Sequence, residues 1–356
     1  MKLHEIGKQR FYNHFLIYRQ SLVIDILNGM GAMQAQDFSM SLWALGCRTN
    51  GATLSSITER FNKGEILRTH VMRPTWHLVS PEDIRWMLQL TSSQVKALTR
   101  SRDLQLGLDD KTIFNCIKVF EKHLEGNRHC TTDELKEIFA IEGIKTDENR
   151  LYHILMHAEL NAVICSGAIK NKKQTYALLE ERVPKVKKLT ADESLYRLAS
   201  KYFISHGPAS LKDFAWWSGL SMSLVKKAIG QLSGILHETK VDGEIYYHIN
   251  QINSPKNENI VLLPAFDELI ISYKNRNAVL LPENQSKAFT SNGIFKPVVV
   301  IDGHGVGTWK RNVKRTEIEI EISLFDQWKH IEIDDFKKAA NNYGNFMERK
   351  ILYRLV

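Results

Sequence analysis

One order of elements, helices followed by a β-ribbon, occurs three times between residues 20 and 249. In the first copy, apolar periodicity predicts helices over 20–27, 39–46 and 53–62, and a β-branched, aromatic stretch predicts a ribbon over 65–79. The other two copies have their helices and ribbons over 111–124, 133–141, 147–161 and 163–179, and over 192–205, 211–218, 222–232 and 235–249. A threefold recurrence of this order restricts the fold to tandem copies of one small α+β module.

Three helices followed by a ribbon are typical of the winged-helix fold. In this fold one helix lies in a DNA groove while the ribbon reaches adjacent phosphates. A scaffold for protein interactions would have similar helices, so one copy alone decides little. Three copies in tandem, two with basic ribbons, favour nucleic-acid binding over such a scaffold. Hydroxyl residues before three of the helices, Ser39, Thr132 and Ser221, are predicted N-caps.

The composition changes after Pro255 to short β-type runs separated by turns. The run at 316–323 alternates apolar and acidic residues with a period of two, which predicts a half-buried strand, and 334–352 is predicted to be a final helix. The fold class is therefore α+β, with three tandem winged-helix units followed by a β-rich, barrel-like C-terminal domain. The predicted domains are 1–105, 106–188, 189–254 and 255–356.

Positive charge is unevenly distributed along the chain. Lysine and arginine number 48 against 40 acidic residues, a formal net charge of +8. Residues 60–102 contain eight basic and three acidic residues, and residues 170–188 contain seven and two, so each segment carries +5. Clustered positive charge favours a polyanionic partner, although a lysine-rich solvated surface would have the same composition.

Several classes of protein and site are excluded or disfavoured. No apolar run of about 18 residues predicts a membrane span, and the N-terminal residues do not resemble a signal peptide, so we expect a cytoplasmic protein. The four cysteines are far apart, which argues against a disulfide framework and a zinc site. His153 and His157 are the nearest approach to a metal-ligand pair, but no neighbour in sequence completes a ligand set. We therefore expect neither a metal nor a cofactor.

The segment 29–38, Gly-Met-Gly-Ala-Met-Gln-Ala-Gln-Asp-Phe, is the strongest candidate for a functional site. Its glycines predict a non-helical link between two helices. In an extended link, Gln34 and Gln36 lie on one side and can face the same ligand. Asp37 is a candidate general base, although an acid before a helix is also a typical cap. Two glutamines in a loop can equally have no special role.

Four segments of the chain resemble the winged-helix DNA glycosylases of the AlkZ/YcaQ type, and the resemblance extends over nearly the whole length. The first segment is 29–48, and the family's motif of glutamine, an apolar residue and glutamine matches 34–36 within it. The other matching segments are Leu-Arg-Thr-His-Val-Met-Arg-Pro-Thr-Trp-His-Leu-Val-Ser-Pro-Glu-Asp at 67–83, Leu-Leu-Pro-Ala-Phe-Asp-Glu at 262–268 and Asp-Gly-His-Gly-Val-Gly-Thr-Trp at 302–309. Pro74 departs from the pattern, because glycine is expected there in relatives.

The resemblance implies a fold, an activity and a set of site residues. Three tandem winged helices and a β-barrel would form a concave basic surface for double-stranded DNA. Gln34 and Gln36 would be catalytic, with Asp37 and His70 as candidate catalytic support. Independently of the resemblance, the basic ribbons predict DNA contacts at Arg68, Arg73, His77, Lys170, Lys172 and Lys173.

The predicted function is that of a monofunctional DNA glycosylase that excises cationic N7-alkylated purines, including interstrand cross-links at guanine N7. The motif contains no lysine nucleophile, so β-lyase activity is not expected. Three modules in one chain are consistent with a monomer. The alternative is a non-catalytic winged-helix transcriptional regulator, which would dimerise on palindromic sites and read base edges.

Overall fold

The computed structural model describes residues 1–249 and 259–356, in which the chain is a mixed α+β protein. The helices are α1 (Leu3–Asn13), α2 (Val23–Met30), α3 (Phe38–Gly46), α4 (Leu54–Lys63), α5 (Ile84–Gln105), α6 (Asp110–Leu124), α7 (Thr132–Ile141), α8 (Arg150–Leu160), α9 (Leu179–Arg182), α10 (Ala191–Ser205), α11 (Leu211–Ser218), α12 (Met222–Gln231), α13 (Glu268–Ile271), α14 (Pro282–Ala288) and α15 (Lys337–Met347). The strands are β1 (Ala32–Gln34), β2 (Leu67–His70), β3 (Trp76–Val79), β4 (Cys130–Thr131), β5 (Ile164–Ser166), β6 (Thr175–Leu178), β7 (His237–Val241), β8 (Glu244–His248), β9 (Ile260–Leu262), β10 (Val298–Ile301), β11 (His304–Val313), β12 (Glu317–Leu324) and β13 (Lys350–Leu355).

The chain divides into two compact units. The first contains Met1–Thr58, Tyr196–Trp217 and Ser221–Val356, and the second contains Glu59–Leu195 with Ser218–Leu220. The predicted boundary near residue 255 lies outside the described residues, and the division into four domains stays a prediction.

The second unit contains a helix–strand–helix–helix–ribbon arrangement. Strand β4 lies between α6 and α7 in sequence, and β5 and β6 follow α8. The three strands form one sheet in the order β4–β6–β5, as in a winged helix. Phe120 and Phe139 meet edge to face in its core, with ring centroids 5.1 Å apart. The predicted cap Thr132 is wrong by one residue, because Thr131 accepts a hydrogen bond from the Glu134 amide and forms a capping box. The predicted number of three winged helices stays a prediction.

Most of the third run of helices and ribbon belongs to the first unit. Ser221 caps α12 as predicted, and its side chain accepts a hydrogen bond from the Leu224 amide. The strands β7 and β8 pair antiparallel around Asp242 and Gly243, which both have positive φ, at 50° and 82°. Such a two-residue turn requires left-handed backbone at both positions, and so the predicted hairpin is confirmed.

A five-stranded sheet in the order β13–β12–β11–β10–β9 forms the β-rich part of the first unit. Ile318, Ile320 and Ile322 of β12 are fully buried while the glutamates between them are partly exposed, as the alternation predicts. The predicted final helix is wrong in its last part. Helix α15 ends at Met347, and β13 then pairs parallel with β12, so a partner distant in sequence determines the structure of residues 350–355.

The described helices include none that is both long and apolar enough to cross a membrane. All four cysteines are buried and free, as expected from their spacing. Burial raises the pKa of Cys47 to about 11 and that of Cys165 to about 12, so both stay protonated thiols near neutral pH.

Candidate active site

The glutamine motif lies on a short non-helical link between α2 and α3, as predicted. Gly31 has a φ of 79°, which a residue with a side chain would adopt only under strain, and β1 follows it. Asp37 caps α3 because its Oδ1 accepts hydrogen bonds from the Met40 amide at 3.1 Å and from Ser39 Oγ at 2.8 Å. Ser39 therefore lies inside α3, and the prediction that it caps this helix is wrong.

Gln34 is 5% exposed, and much of its hydrogen-bonding capacity is used within the protein. Its Oε1 accepts from the amides of Ala35 at 2.8 Å and Gln36 at 3.1 Å. Its own amide donates to Oε1 of Glu268. Within residues 1–249 and 259–356, however, no group accepts a hydrogen bond from its Nε2. The Nε2 group of Gln34 therefore stays available to donate a hydrogen bond, while Oε1 is held by the two backbone amides.

Gln36 is different, because its side chain is exposed. Its carboxamide makes no hydrogen bond to a described residue, while its backbone amide is held by Gln34. This arrangement leaves Gln36 available to a ligand on a backbone that is already fixed. That both carboxamides face one ligand stays a prediction.

Glu268 is a residue that sequence reasoning missed, although the segment that contains it was recognised. Its carboxylate is 1% exposed and lies behind the glutamine link. Oε1 accepts from the Gln34 amide, and Oε2 accepts from Trp217 Nε1 at 3.1 Å and from Ser272 Oγ. His206 Nε2 lies 3.5 Å from Oε2. An adjacent pair of acids in an apolar segment was the signal that could have identified it.

The neighbouring acid, Asp267, forms a fully buried ion pair with Arg48. Both guanidinium nitrogens Nη1 and Nη2 of Arg48 donate to the carboxylate at 2.8 Å. Asp267 also caps α13 by accepting from the Leu269 amide at 2.9 Å. Arg48 donates further to the carbonyls of His14 and Ala44, both at 2.9 Å. The pair therefore joins α3 and the chain around it to the turn that contains Glu268.

Because His14 and His206 are buried near this turn, we expect the folded protein to lose stability in acid. Burial lowers the pKa of His14 well below its usual value, and His206 and Arg48 lower it further. Burial also lowers the pKa of His206, although Glu268 opposes the shift. Both rings therefore bind a proton less readily in the folded protein than in the unfolded chain, which takes up protons below about pH 6.5.

The resulting stability is present above about pH 6.5 and is lost as the pH falls. We expect the free energy of unfolding, measured with urea, to be lower at pH 5.5 than at pH 7.5, by up to about 1 kcal/mol for each histidine. His14→Gln retains a donor for Tyr273 but cannot be protonated, so it should reduce this difference. An unchanged difference in that variant would contradict the assignment.

In the second unit, His70 belongs to a buried polar cluster. Its ring is completely buried, with Nδ1 bonded to Glu159 Oε2 and Nε2 3.1 Å from the Tyr152 hydroxyl. The ring also lies 4.4 Å from that of Trp76. Arg68 is also buried, and its guanidinium lies 4.2 Å from the Trp76 ring centroid. This geometry is that of a support for the β2–β3 ribbon.

Two further predicted DNA contacts lie on the same ribbon. His77 is completely buried, and its Nδ1 is 2.9 Å from the Thr75 carbonyl. A direct phosphate contact needs an accessible ring, so this burial argues against the role predicted for His77. Arg73 is half-buried.

The three predicted lysine contacts lie in different surroundings. Lys170 forms an ion pair with Glu134, and Lys173 forms one with Asp133 at 2.7 Å. The hydrogen bond from Lys170, together with those from Thr131, lowers the pKa of Glu134 to about 2. Lys172 is exposed and forms no ion pair within the described part of the chain.

A basic groove of about 690 Å³ lies on the second unit and was not predicted as a site. Its lining includes five cationic residues and one carboxylate, namely Arg85, Lys96, Lys185, Lys187, Lys188 and Glu180. Glu180 pairs with Arg85 at 3.0 Å and with Lys185 at 3.1 Å. Lys187 and Lys188 are exposed and have no ion-pair partner among the residues described. The groove therefore carries an excess of positive charge.

His153 and His157, the nearest approach to a metal-ligand pair in the sequence, are both bonded to one carboxylate. His153 Nδ1 lies 2.6 Å from Asp103 Oδ1, and His157 Nε2 lies 2.9 Å from Asp103 Oδ2. A carboxylate therefore does accompany the pair, contrary to the expectation from its sequence neighbours. Both rings face that carboxylate through hydrogen bonds, and the described residues contain no group of three or more ligands suited to a metal ion.

Comparisons with known proteins identify the family. Residues 27–346 match the family described as DNA glycosylase AlkZ-like. The chain is 25% identical over 348 residues to an interstrand DNA cross-link repair glycosylase of Streptomyces sahachiroi. The aligned region covers 93% of this chain and 92% of the relative. Its fold is similar to the solved structure of the Streptomyces sahachiroi DNA glycosylase AlkZ, with a TM-score of 0.84, 21% identity and complete coverage of both chains. The chain therefore belongs to the AlkZ-like DNA glycosylase family.

Proposed function

We propose that this protein is a monofunctional DNA glycosylase that excises cationic N7-alkylated purines from double-stranded DNA, as a monomer and without a cofactor. The observation that carries the proposal is the exposed carboxamide of Gln36 on a fixed link beside Gln34. The cross-link repair activity in the name of the Streptomyces sahachiroi relative supports the extension to interstrand cross-links.

The residues suit a leaving group that is already charged. A purine alkylated at N7 carries a positive charge, so the bond between C1′ and N9 can break without strong acid assistance. The bonding electrons go to the purine, which leaves neutral, and water adds to the sugar cation to give an abasic site. The enzyme then needs to orient water and stabilise the cation, and neutral carboxamides do both without titrating.

We assign the proposed roles by accessibility and by the hydrogen-bonding groups that stay available, which in Gln34 is the Nε2 donor. Gln34 and Gln36 hold the attacking water at C1′. Asp37 is a candidate acceptor for the proton of this water, because its Oδ2 accepts no hydrogen bond from a described residue while Oδ1 caps α3. His70 is completely buried and acts as a support of its ribbon rather than through contact with substrate.

The decisive assay measures base release from two DNA substrates. One is a duplex that contains 7-methylguanine, and the other is a duplex with an interstrand cross-link through guanine N7. We expect release from the first, and unhooking of the second if the site accommodates both strands. Salt-dependent binding of undamaged DNA without any base release would instead support the transcriptional regulator.

We propose that DNA phosphates bind at the basic groove, and a matched pair of variants tests this. Changing Lys187 and Lys188 to serine should lower the salt-dependence slope of DNA binding by up to about two, because each unpaired lysine releases about one counterion. Changing Lys170 and Lys173 to serine removes the same charge, but both already pair with acids, so the slope should fall less. Equal slopes in the two double variants would contradict the groove assignment.

A further inference from the structure

We propose that Glu268 is a positioning residue that sets the geometry of both motif glutamines through the backbone. The inference rests on the proposed function, because it assumes that Gln34 and Gln36 act on the substrate. Glu268 is 1% exposed, so it has no surface with which to contact DNA. Any effect of its side chain on base release must therefore pass through the residues that it binds.

The contacts form a continuous chain from Glu268 to Gln36. Glu268 Oε1 accepts from the Gln34 amide and so fixes the peptide group between Met33 and Gln34. Gln34 Oε1 then accepts from the Gln36 amide at 3.1 Å, which fixes the peptide group between Ala35 and Gln36. Two hydrogen bonds in series thus place the backbone from which each carboxamide projects.

The other oxygen of Glu268 holds the carboxylate in place. Oε2 accepts from Trp217 Nε1 at 3.1 Å and from Ser272 Oγ. Trp217 Nε1 and the Gln34 amide can only donate, so the site requires acceptors at both ends of the carboxyl group. A glutamine at 268 would present an amide NH₂ to one of these donors, and the contact with it would be lost.

The test is a double-variant cycle on single-turnover release of 7-methylguanine from duplex DNA. We expect Glu268→Gln to slow release by about 10- to 100-fold, because small displacements of reacting groups have effects of this size. The Kd for the same duplex should change by less than about twofold. Trp217→Phe is the matched control, since it removes one donor to Oε2 while Ser272 Oγ still holds this oxygen and the Gln34 contact stays in place.

Coupling to Gln34 separates positioning from a general structural role. In a Gln34→Ala background the relay to Gln36 is already broken, so Glu268→Gln should slow release by less than about threefold more. Equal slowing in both backgrounds, or slowing by Trp217→Phe equal to that by Glu268→Gln, would overturn the proposal. If Glu268→Gln does not fold, Glu268→Asp replaces it in the cycle. Its carboxylate lies one methylene further from the Gln34 amide, and the same criteria apply.

The outcomes also distinguish this inference from the function on which it rests. A Gln34→Ala variant that releases base at the normal rate would refute the catalytic assignment itself. Slow release by Gln34→Ala with normal release by Glu268→Gln would refute only the positioning role.

Discussion

Gln36→Ala is expected to slow single-turnover base release by about 10²- to 10³-fold, the range found when a group that stabilises a transition state is removed. The side chain is exposed and makes no hydrogen bond to a described residue, so the variant should unfold with nearly the same free energy as the parent protein. Activity and stability therefore separate cleanly at this position. Chemical denaturation and base release, measured on the same preparation, test both statements.

Gln34→Ala is expected to slow release to a similar extent and to destabilise the protein as well. Its Oε1 accepts from the amides of Ala35 and Gln36, and two backbone donors without an acceptor lower the free energy of unfolding by about 1–3 kcal/mol each if they stay dry. Gln34→Glu keeps the acceptor oxygens and removes the Nε2 donor, but it also buries a negative charge close to the Glu268 carboxylate. It should therefore be slow and destabilised as well.

The losses in Gln34→Ala and Gln36→Ala should not add in the double variant, because the two residues act on one water. Release within about threefold of the normal rate in either single variant would remove that residue from the catalytic assignment.

Asp267→Ala is expected to have the largest effect on stability, with a decrease of about 3–5 kcal/mol in the free energy of unfolding. The change leaves the guanidinium of Arg48 fully buried without its carboxylate partner. The matched control is Glu59→Ala, which breaks the exposed pair with Lys63 and is expected to change stability little. Denaturant unfolding of both variants provides the measurement, and equal effects would contradict the importance of burial.

Local chemistry was sufficient for part of the fold. The turn at Asp242 and Gly243 and the alternating strand around Ile320 depend on residues adjacent in sequence, and both predictions are confirmed. Residues 350–352 were predicted as the end of the final helix, but residues 350–355 pair with β12, and that pairing is not visible in the local sequence. Cap positions were displaced by one or two residues, as at Asp37, because several polar side chains near a helix start can accept its amides.

The candidate site divides in the same way. The extended link that contains Gln34 followed from its glycines, but the carboxylate that binds its amide comes from 234 residues further along the chain. Burial was equally inaccessible to sequence reasoning. His70 and His77 were predicted from their place in a basic ribbon, and their packing leaves both rings without accessible surface.

Asp267 and Glu268 give two adjacent positions two different tasks, since one neutralises Arg48 and the other binds the amide of Gln34. For directed evolution towards new lesions, this means that random changes in this dipeptide would be discarded for poor expression before their catalytic effect was seen. Libraries are better concentrated on the exposed rim around Gln36, where variation leaves the folded scaffold intact.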